Sequence, residues 1–192
     1  MTRRFALIAA TLGVLATPHA AFAQGFDMRE IMGGGFDKFN YSGGASSIPR
    51  TTVNFASNYA PGTIVVATGE RRLYLVQPNG TALRYGIGVG RDGFRWGGTH
   101  RITAKKEWPS WTPPAQMLRR RPDLPRHMAG GVDNPLGARA MYLGSTLYRI
   151  HGSNEPETIG QAVSSGCFRM TNDDVSDLYS RVGVGTTVVV KN

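Results

Sequence analysis

The chain has 192 residues, 41% of them hydrophobic, with 25 Gly, 11 Pro and one Cys. That length suits one globular domain with a full core, and a lone Cys excludes a disulfide framework, a Cys-rich zinc module and a CxxC redox pair. Lys plus Arg number 22 against 13 Asp plus Glu, for a net charge of +9, which favours acidic partners such as nucleic acid, anionic lipid or another anionic polymer, or serves solubility alone.

At the N-terminus, Arg3 and Arg4 precede an apolar run from Phe5 to Ala16, and Ala21-Phe22-Ala23 offers the small-x-small pattern that signal peptidase reads. The run is 12 residues long, short of the roughly 20 that a membrane-spanning helix needs. Residues 1–23 are therefore expected to be a secretory signal peptide cleaved before Gln24, the alternative being a short N-terminal core helix. Cleavage leaves 169 residues, removes Arg3 and Arg4 and lowers the charge to +7. The expected product is exported and not stably inserted in a membrane. Export takes nucleic acid off the list of partners and leaves the polyanions of a cell envelope.

Residues 24–58 are rich in Gly and Ser, as in Gly33-Gly34-Gly35 and Ser42-Gly43-Gly44, and read as a flexible leader. Thr63 to Thr68, a turn at Gly69-Glu70 and Arg71 to Val76 then give a hairpin signal, dense in β-branched and aromatic residues. After a turn at Pro78-Asn79-Gly80, Leu83 to Val89 reads as a third strand and Arg101 to Ala104 as a fourth. Between Trp108 and Asn134 the chain carries five Pro, at 109, 113, 114, 122 and 125, and the run Arg119-Arg120-Arg121. This stretch is too broken for regular structure and too long for a simple connection. It reads either as a lid or binding loop, or as a surface excursion pinned by Trp108 and Trp111.

Ala140 to Leu143, Thr146 to His151 and Thr186 to Val190 are further strand candidates. One helix is expected. Asn172 caps it, Asp173 and Asp174 complement the dipole, Val175, Leu178, Tyr179 and Val182 follow helical spacing, and Gly183 ends it. The expected fold is mostly β, a mixed sandwich or barrel-like arrangement with one short C-terminal helix and a long Pro-rich loop.

The only Cys lies in Ser164-Ser165-Gly166-Cys167-Phe168-Arg169-Met170. A free Cys is usually a small buried hydrophobe, yet an unpaired thiol is a liability in an oxidising compartment. Gly166 lets the backbone turn tightly, so that successive N–H groups can face one hollow beside the sulfur. Such a hollow suits the oxyanion formed when a thiolate attacks an amide. A thiol also needs a base or cation nearby to become a thiolate at neutral pH. Of His100, His127 and His151, the last is the best candidate, because it ends a strand and is followed by Gly152-Ser153-Asn154. His100 and His127 read as ordinary imidazoles.

The run His151-Gly152-Ser153-Asn154-Glu155-Pro156, then Ile159-Gly160, then Ser164 to Met170, resembles the active-site signature of the L,D-transpeptidases with a YkuD-type catalytic domain. The hairpin at Thr63 to Val76, the Gly88-Val89-Gly90 turn, the Trp108 to Pro114 loop and Asn134-Pro135-Leu136-Gly137 also resemble that domain. The likeness covers roughly 60–191, and its specificity lies in combining His-Gly, a spacing of 16 residues and Gly-Cys-x-Arg.

The resemblance implies that Cys167 is the nucleophile, that His151 is its proton acceptor and donor, and that the Gly152 carbonyl orients the imidazole. It also implies that the N–H groups of Ser165, Gly166 and Cys167 form the oxyanion hole. Arg169 would position the nucleophile or the substrate, since an Arg fork suits a peptide carboxylate; a salt bridge to Asp173 or Asp174 is the alternative. Three features depart from the pattern: Ser165 stands where many members have a second His, Ser153 replaces the usual Thr, and Gly97-Gly98-Thr99-His100 replaces a Pro-Thr-Gly-containing turn.

The resemblance further implies a two-step reaction in the periplasm or cell envelope. Cys167 attacks a peptidoglycan stem peptide and releases its terminal D-residue, and an acceptor amine then takes the acyl group from the thioester. The acceptor is another stem, a lipoprotein lysine, a free D-amino acid or water; with water the same site is a carboxypeptidase or amide hydrolase. No cofactor or metal is expected. A non-catalytic peptidoglycan-binding protein and a zinc peptidase using His151 with Glu155 or Glu157 are the remaining alternatives.

Overall fold

The computed structural model describes residues 46–192. The expected signal peptide and the leader as far as residue 45 lie outside the described residues. The strands are β1 (Thr51–Asn54), β2 (Ile64–Ala67), β3 (Arg72–Gln77), β4 (Thr81–Gly86), β5 (Val89–Gly90), β6 (Gly98–Glu107), β7 (Arg139–Leu143), β8 (Arg149–His151), β9 (Ala162–Ser164), β10 (Phe168–Arg169) and β11 (Thr187–Lys191). The helices are α1 (Ala115–Arg120) and α2 (Asn172–Arg181). Among the described residues, no helix is long and apolar enough to cross a membrane.

The expected hairpin forms from β2 and β3, with Ile64 opposite Leu75 and Val66 opposite Leu73, all four buried. Facing branched side chains at these levels is what makes the pair worth forming. β4 adds to β3 with Leu83 opposite Leu75, and β11 runs parallel to β2 and antiparallel to β6. The first half of β6 pairs with β11 and the second with β7, and the register shifts between Ile102 and Ala104. A bulge of this kind bends a strand, so the sheet turns at β6. One core collects Ile64, Leu73, Tyr85 and Val188 from one side of that bend and Met141, Leu143, Ile150 and Phe168 from the other. The sheet stays open, in the order β1-β4-β3-β2-β11-β6-β7-β8-β10. The mostly β, sandwich-like expectation describes this architecture.

Four details differ from the sequence expectations. Within 24–58, residues 51–54 form an edge strand on β4, and Arg50 reaches Asp177 at 3.2 Å and Asp174 at 3.5 Å. This end of the expected leader is thus part of the sheet. The third strand stops at Gly86, because Gly88 turns to exchange hydrogen bonds with Arg169 (2.9 and 3.0 Å), and β5 then pairs with β9. Thr171, not Asn172, caps α2, its Oγ1 accepting from the Asp174 N–H at 3.2 Å. Asn172 sits inside the first turn and uses its Oδ1 to accept from the Ala138 N–H at 2.8 Å.

The Pro-rich stretch contains regular structure after all. Pro114 leads into α1, and Trp111 and Met128 exchange backbone hydrogen bonds at 2.8 Å each. Trp111, Leu124 and Leu136 form a second small core with Met117, Leu118 and Met128 packed on it. Only one of the two expected pins is buried: Trp111 is 6% exposed and Trp108 is 38% exposed.

Candidate active site

Strand alternation decides which side chains reach the cleft. β8 and β10 run parallel, with Phe168 opposite Ile150 and Arg169 opposite His151. Side chains at one level of a pleated pair share a face, and the face alternates along each strand. Ile150 and Phe168 point into the core. Arg149, His151 and Arg169, with Cys167 immediately before β10, take the opposite face and line a cleft of about 810 Å³. Ser164 and Ser165 line it too, and the second small core contributes Trp111, Met117, Leu124 and Leu136 to its far wall.

His151 is 5% exposed, and its Nδ1 lies 2.6 Å from the Gly152 carbonyl oxygen. A carbonyl only accepts, so Nδ1 carries the proton and donates it, leaving Nε2 with a free lone pair. Burial, then the Arg169 and Arg149 charges, push the imidazole from its usual 6.5 down to about 3 against the opposing pull of the Gly152 carbonyl. The ring is therefore a neutral base at physiological pH. Gly152 must be glycine here, because a Cβ would collide with Asn172 Oδ1, the atom that holds the Ala138 amide.

Cys167 is half-buried, its Sγ 3.8 Å from the Leu147 carbonyl, to which the S–H donates. Burial pushes the thiol up, and Arg149 is the strongest influence pulling it down, followed by Arg169. The resting pair is thus a thiol and a neutral imidazole. Arg149 lies 5.2 Å over the Tyr142 ring, and its buried Nε has no hydrogen-bond partner among the described residues. Arg149 is absent from the residues that the sequence motif picks out, and its i, i+2 spacing from His151 on one strand is the signal that could have found it.

The loop before Cys167 is tied down at several points. Ser164 Oγ donates to the Cys167 carbonyl at 2.6 Å and accepts from the Gly166 N–H at 3.1 Å. Gly166 takes φ +109°, and a Cβ there would lie 2.5 Å from Tyr148 Cε1. Trp96 Nε1–H donates to the Gly166 carbonyl at 2.7 Å, while its ring stacks on Tyr148 with centroids 4.2 Å apart. Of the three amides that the resemblance nominates for an oxyanion, the Gly166 N–H already has a partner in Ser164 Oγ. Trp96 carries no sequence signal, because its contact with the loop spans 70 residues.

Arg169 lines the cleft, but its Nη1 lies 2.7 Å from Glu155 Oε2 and 3.4 Å from Thr158 Oγ1. The expected alternative partners, Asp173 and Asp174, are not the ones it pairs with. Burial pushes the Glu155 carboxyl up, and the Arg169 guanidinium opposes it. This commits Glu155, one of the two carboxylates considered for a zinc peptidase, to an ion pair. Ser153 Oγ accepts from the Glu155 N–H at 3.0 Å, so the serine at that position fixes the turn after His151. His127 Nδ1 stands 3.2 Å from Thr112 Oγ1, and His100 packs edge-on to Trp96; neither lines the cleft.

A thiol, a base of fixed tautomer, nearby guanidinium groups and a glycine turn in one cleft can carry out acyl transfer through a covalent intermediate. Residues 61–190 match the family described as YkuD, L,D-transpeptidase catalytic domain. A curated relative, the probable L,D-transpeptidase ErfK/SrfK of Escherichia coli K12, is 40% identical over 136 residues, which are 66% of this chain and 43% of that protein. The matched part thus spans less than half the relative's length.

Two solved structures are also similar. One, named as a probable carnitine operon oxidoreductase caia from Brucella melitensis, is 48% identical with a TM-score of 0.52 and covers 76% of this chain and 94% of its own. Its name describes another chemistry and belongs to that protein alone. The other, an L,D-transpeptidase from Mycobacterium smegmatis, is 17% identical with a TM-score of 0.56 over 69% of this chain and 59% of its own, a likeness of fold. On the match over 61–190, the chain belongs to the L,D-transpeptidase catalytic domain family.

Proposed function

We propose that this protein is an exported cysteine L,D-transpeptidase that acts on peptidoglycan stem peptides through a thioester at Cys167. The supporting observation is the pairing of β8 with β10, which puts Cys167 and the tautomer-fixed His151 on one face of one cleft. In the proposed reaction His151 Nε2 takes the thiol proton as Sγ bonds to the carbonyl carbon of the donor stem. The Ser165 and Cys167 amides stabilise the oxyanion, each by roughly 3 kcal/mol.

The C–N bond then breaks, and the imidazolium returns its proton to the amine of the departing D-residue. An acceptor amine attacks the thioester, gives its proton to His151, and the C–S bond breaks to restore the thiol. Arg149 favours the thiolate while it exists, and Arg169, held by Glu155, positions the strand that follows Cys167.

The proposed organisation is a signal peptide at 1–23, a leader from 24 that ends in the edge strand β1, and a catalytic domain over 60–191. It places the protein in the periplasm or cell envelope. Incubation with a disaccharide-tetrapeptide, beside a Cys167→Ala control, tests the reading. Dimers lacking one terminal D-residue, absent from the control, are the expected result. Tripeptide without dimer would make the enzyme a hydrolase, and no reaction would return it to a peptidoglycan-binding protein.

A further inference from the structure

The cleft has a basic surface that the acyl-transfer chemistry does not use. Among the described residues five arginines line it, at 91, 120, 121, 149 and 169, and no Asp or Glu. Three of the five are accounted for: Arg121 pairs with Asp123, Arg169 with Glu155, and Arg149 lies beside Cys167 over Tyr142. Arg91 and Arg120 come from different elements of the chain. Arg91 follows β5, and its backbone N–H donates to the Ser164 carbonyl at 3.0 Å, which ties it to the loop of the nucleophile. Arg120 is the last residue of α1.

Both guanidinium groups nonetheless reach the same ring, with Arg91 4.6 Å and Arg120 5.1 Å from the Phe94 centroid. Neither has an ion-pair partner among the described residues, and Asp92, the acidic residue nearest in sequence, pairs with Arg95 at 3.1 Å. Two like charges drawn to one aromatic ring, in a cleft that the described residues line without an acid, repel each other until an anion joins them. Arg91 Nη1 lies 3.5 Å from the Val163 carbonyl, to which it donates, and a guanidinium over a ring keeps its remaining in-plane N–H donors for a carboxylate.

We infer that Arg91 and Arg120, held by Phe94, bind a free carboxylate of the stem peptide and make the enzyme select carboxylate-bearing stems over amidated ones. This rests on the proposed function, since it names the substrate form that the same cleft takes. The alanine–glutamate–diamino-acid chemistry of such a stem offers side carboxylates and a C-terminal one, and either source satisfies the same pair of cations.

The test compares acyl-enzyme formation on the full chain with three tetrapeptide stems: all carboxylates free, side carboxylates amidated, and C-terminal carboxamide. The free form is expected to have a kcat/KM about tenfold above at least one amidated form, the effect of one charge-assisted contact. The form that loses activity locates the carboxylate. In Arg91→Gln and Arg120→Gln this discrimination falls toward one, through KM rather than kcat. Arg119→Gln, exposed and outside the cleft lining, retains it. Equal reaction of all three stems, or discrimination that survives in both cleft variants, would overturn the inference and leave the proposed function standing. No reaction with any stem would overturn both.

Discussion

The proposed role of His151 as a base requires a neutral ring, and its environment makes that neutrality a matter of stability as well. Its value falls from 6.5 to about 3 in the folded protein, so between those pH values the unfolded chain binds the extra proton. The stability due to the neutral ring is complete above 6.5 and is lost as pH falls toward 3, at no more than about 1.4 kcal/mol per pH unit. Urea unfolding at pH 7, 5 and 4 should show a shallower acid decline for His151→Gln than for the wild type. The same variant should slow acylation by about 10²- to 10⁴-fold at pH 7; unchanged acylation would mean that another group takes the thiol proton. Arg149→Gln should raise the thiol further and slow its alkylation by iodoacetamide at pH 8; an unchanged rate would show that Arg149 does not act on the thiol. Cys167, His151 and Gly152 are legible in the sequence because their motif is contiguous or closely spaced. Arg149 is not, because its effect on Cys167 depends on β8 and β10 being neighbours.

The loop that carries Cys167 owes its shape to a residue far away in sequence. Trp96, just before β6, holds the Gly166 carbonyl and braces Tyr148. Trp96→Phe keeps an aromatic ring for the stack and removes only the Nε1–H donor, so it should cost about 1 kcal/mol of stability. It should also lower kcat with little change in KM, since it loosens the nucleophile rather than the cleft; an unchanged kcat would show that the Ser164 bonds alone fix the loop. The strands that pattern alone reveals, β2, β3, β7 and β11, are continuous apolar or alternating runs. Of those it does not reveal, β9 and β10 have three and two residues, too few for any periodicity to register. α1 escapes for a related reason: its six residues lie among prolines, and the Trp111 core that stabilises it is tertiary. The sequence puts the cap of α2 one residue late because Asn and Thr are both good caps, and the demand of the Ala138 amide on Asn172 decides between them.

At the scale of the whole molecule, the sheet, the bend at β6 and the edge strand β1 hold the two walls of the cleft in place. Arg50 and β1 fasten the end of the leader to β4 and α2, so deletion through Phe55 should expose the β4 edge and lower Tm by about 2–4 °C for each kcal/mol lost. A Tm unchanged in differential scanning calorimetry would mean that β1 adds no stability. The overall β class is legible from strand density, whereas the bend is not, because a bulge is a matter of register between β6 and β7. The proposed chemistry stands or falls on a covalent step at Cys167. Intact-protein mass spectrometry after brief mixing with a disaccharide-tetrapeptide, followed by peptide mapping, reads that step itself. The expected result is an added mass equal to the stem less its terminal D-residue, located on the peptide containing Cys167 and absent from Cys167→Ala. Product formation without that adduct, or an adduct that persists in the Ala variant, would contradict it.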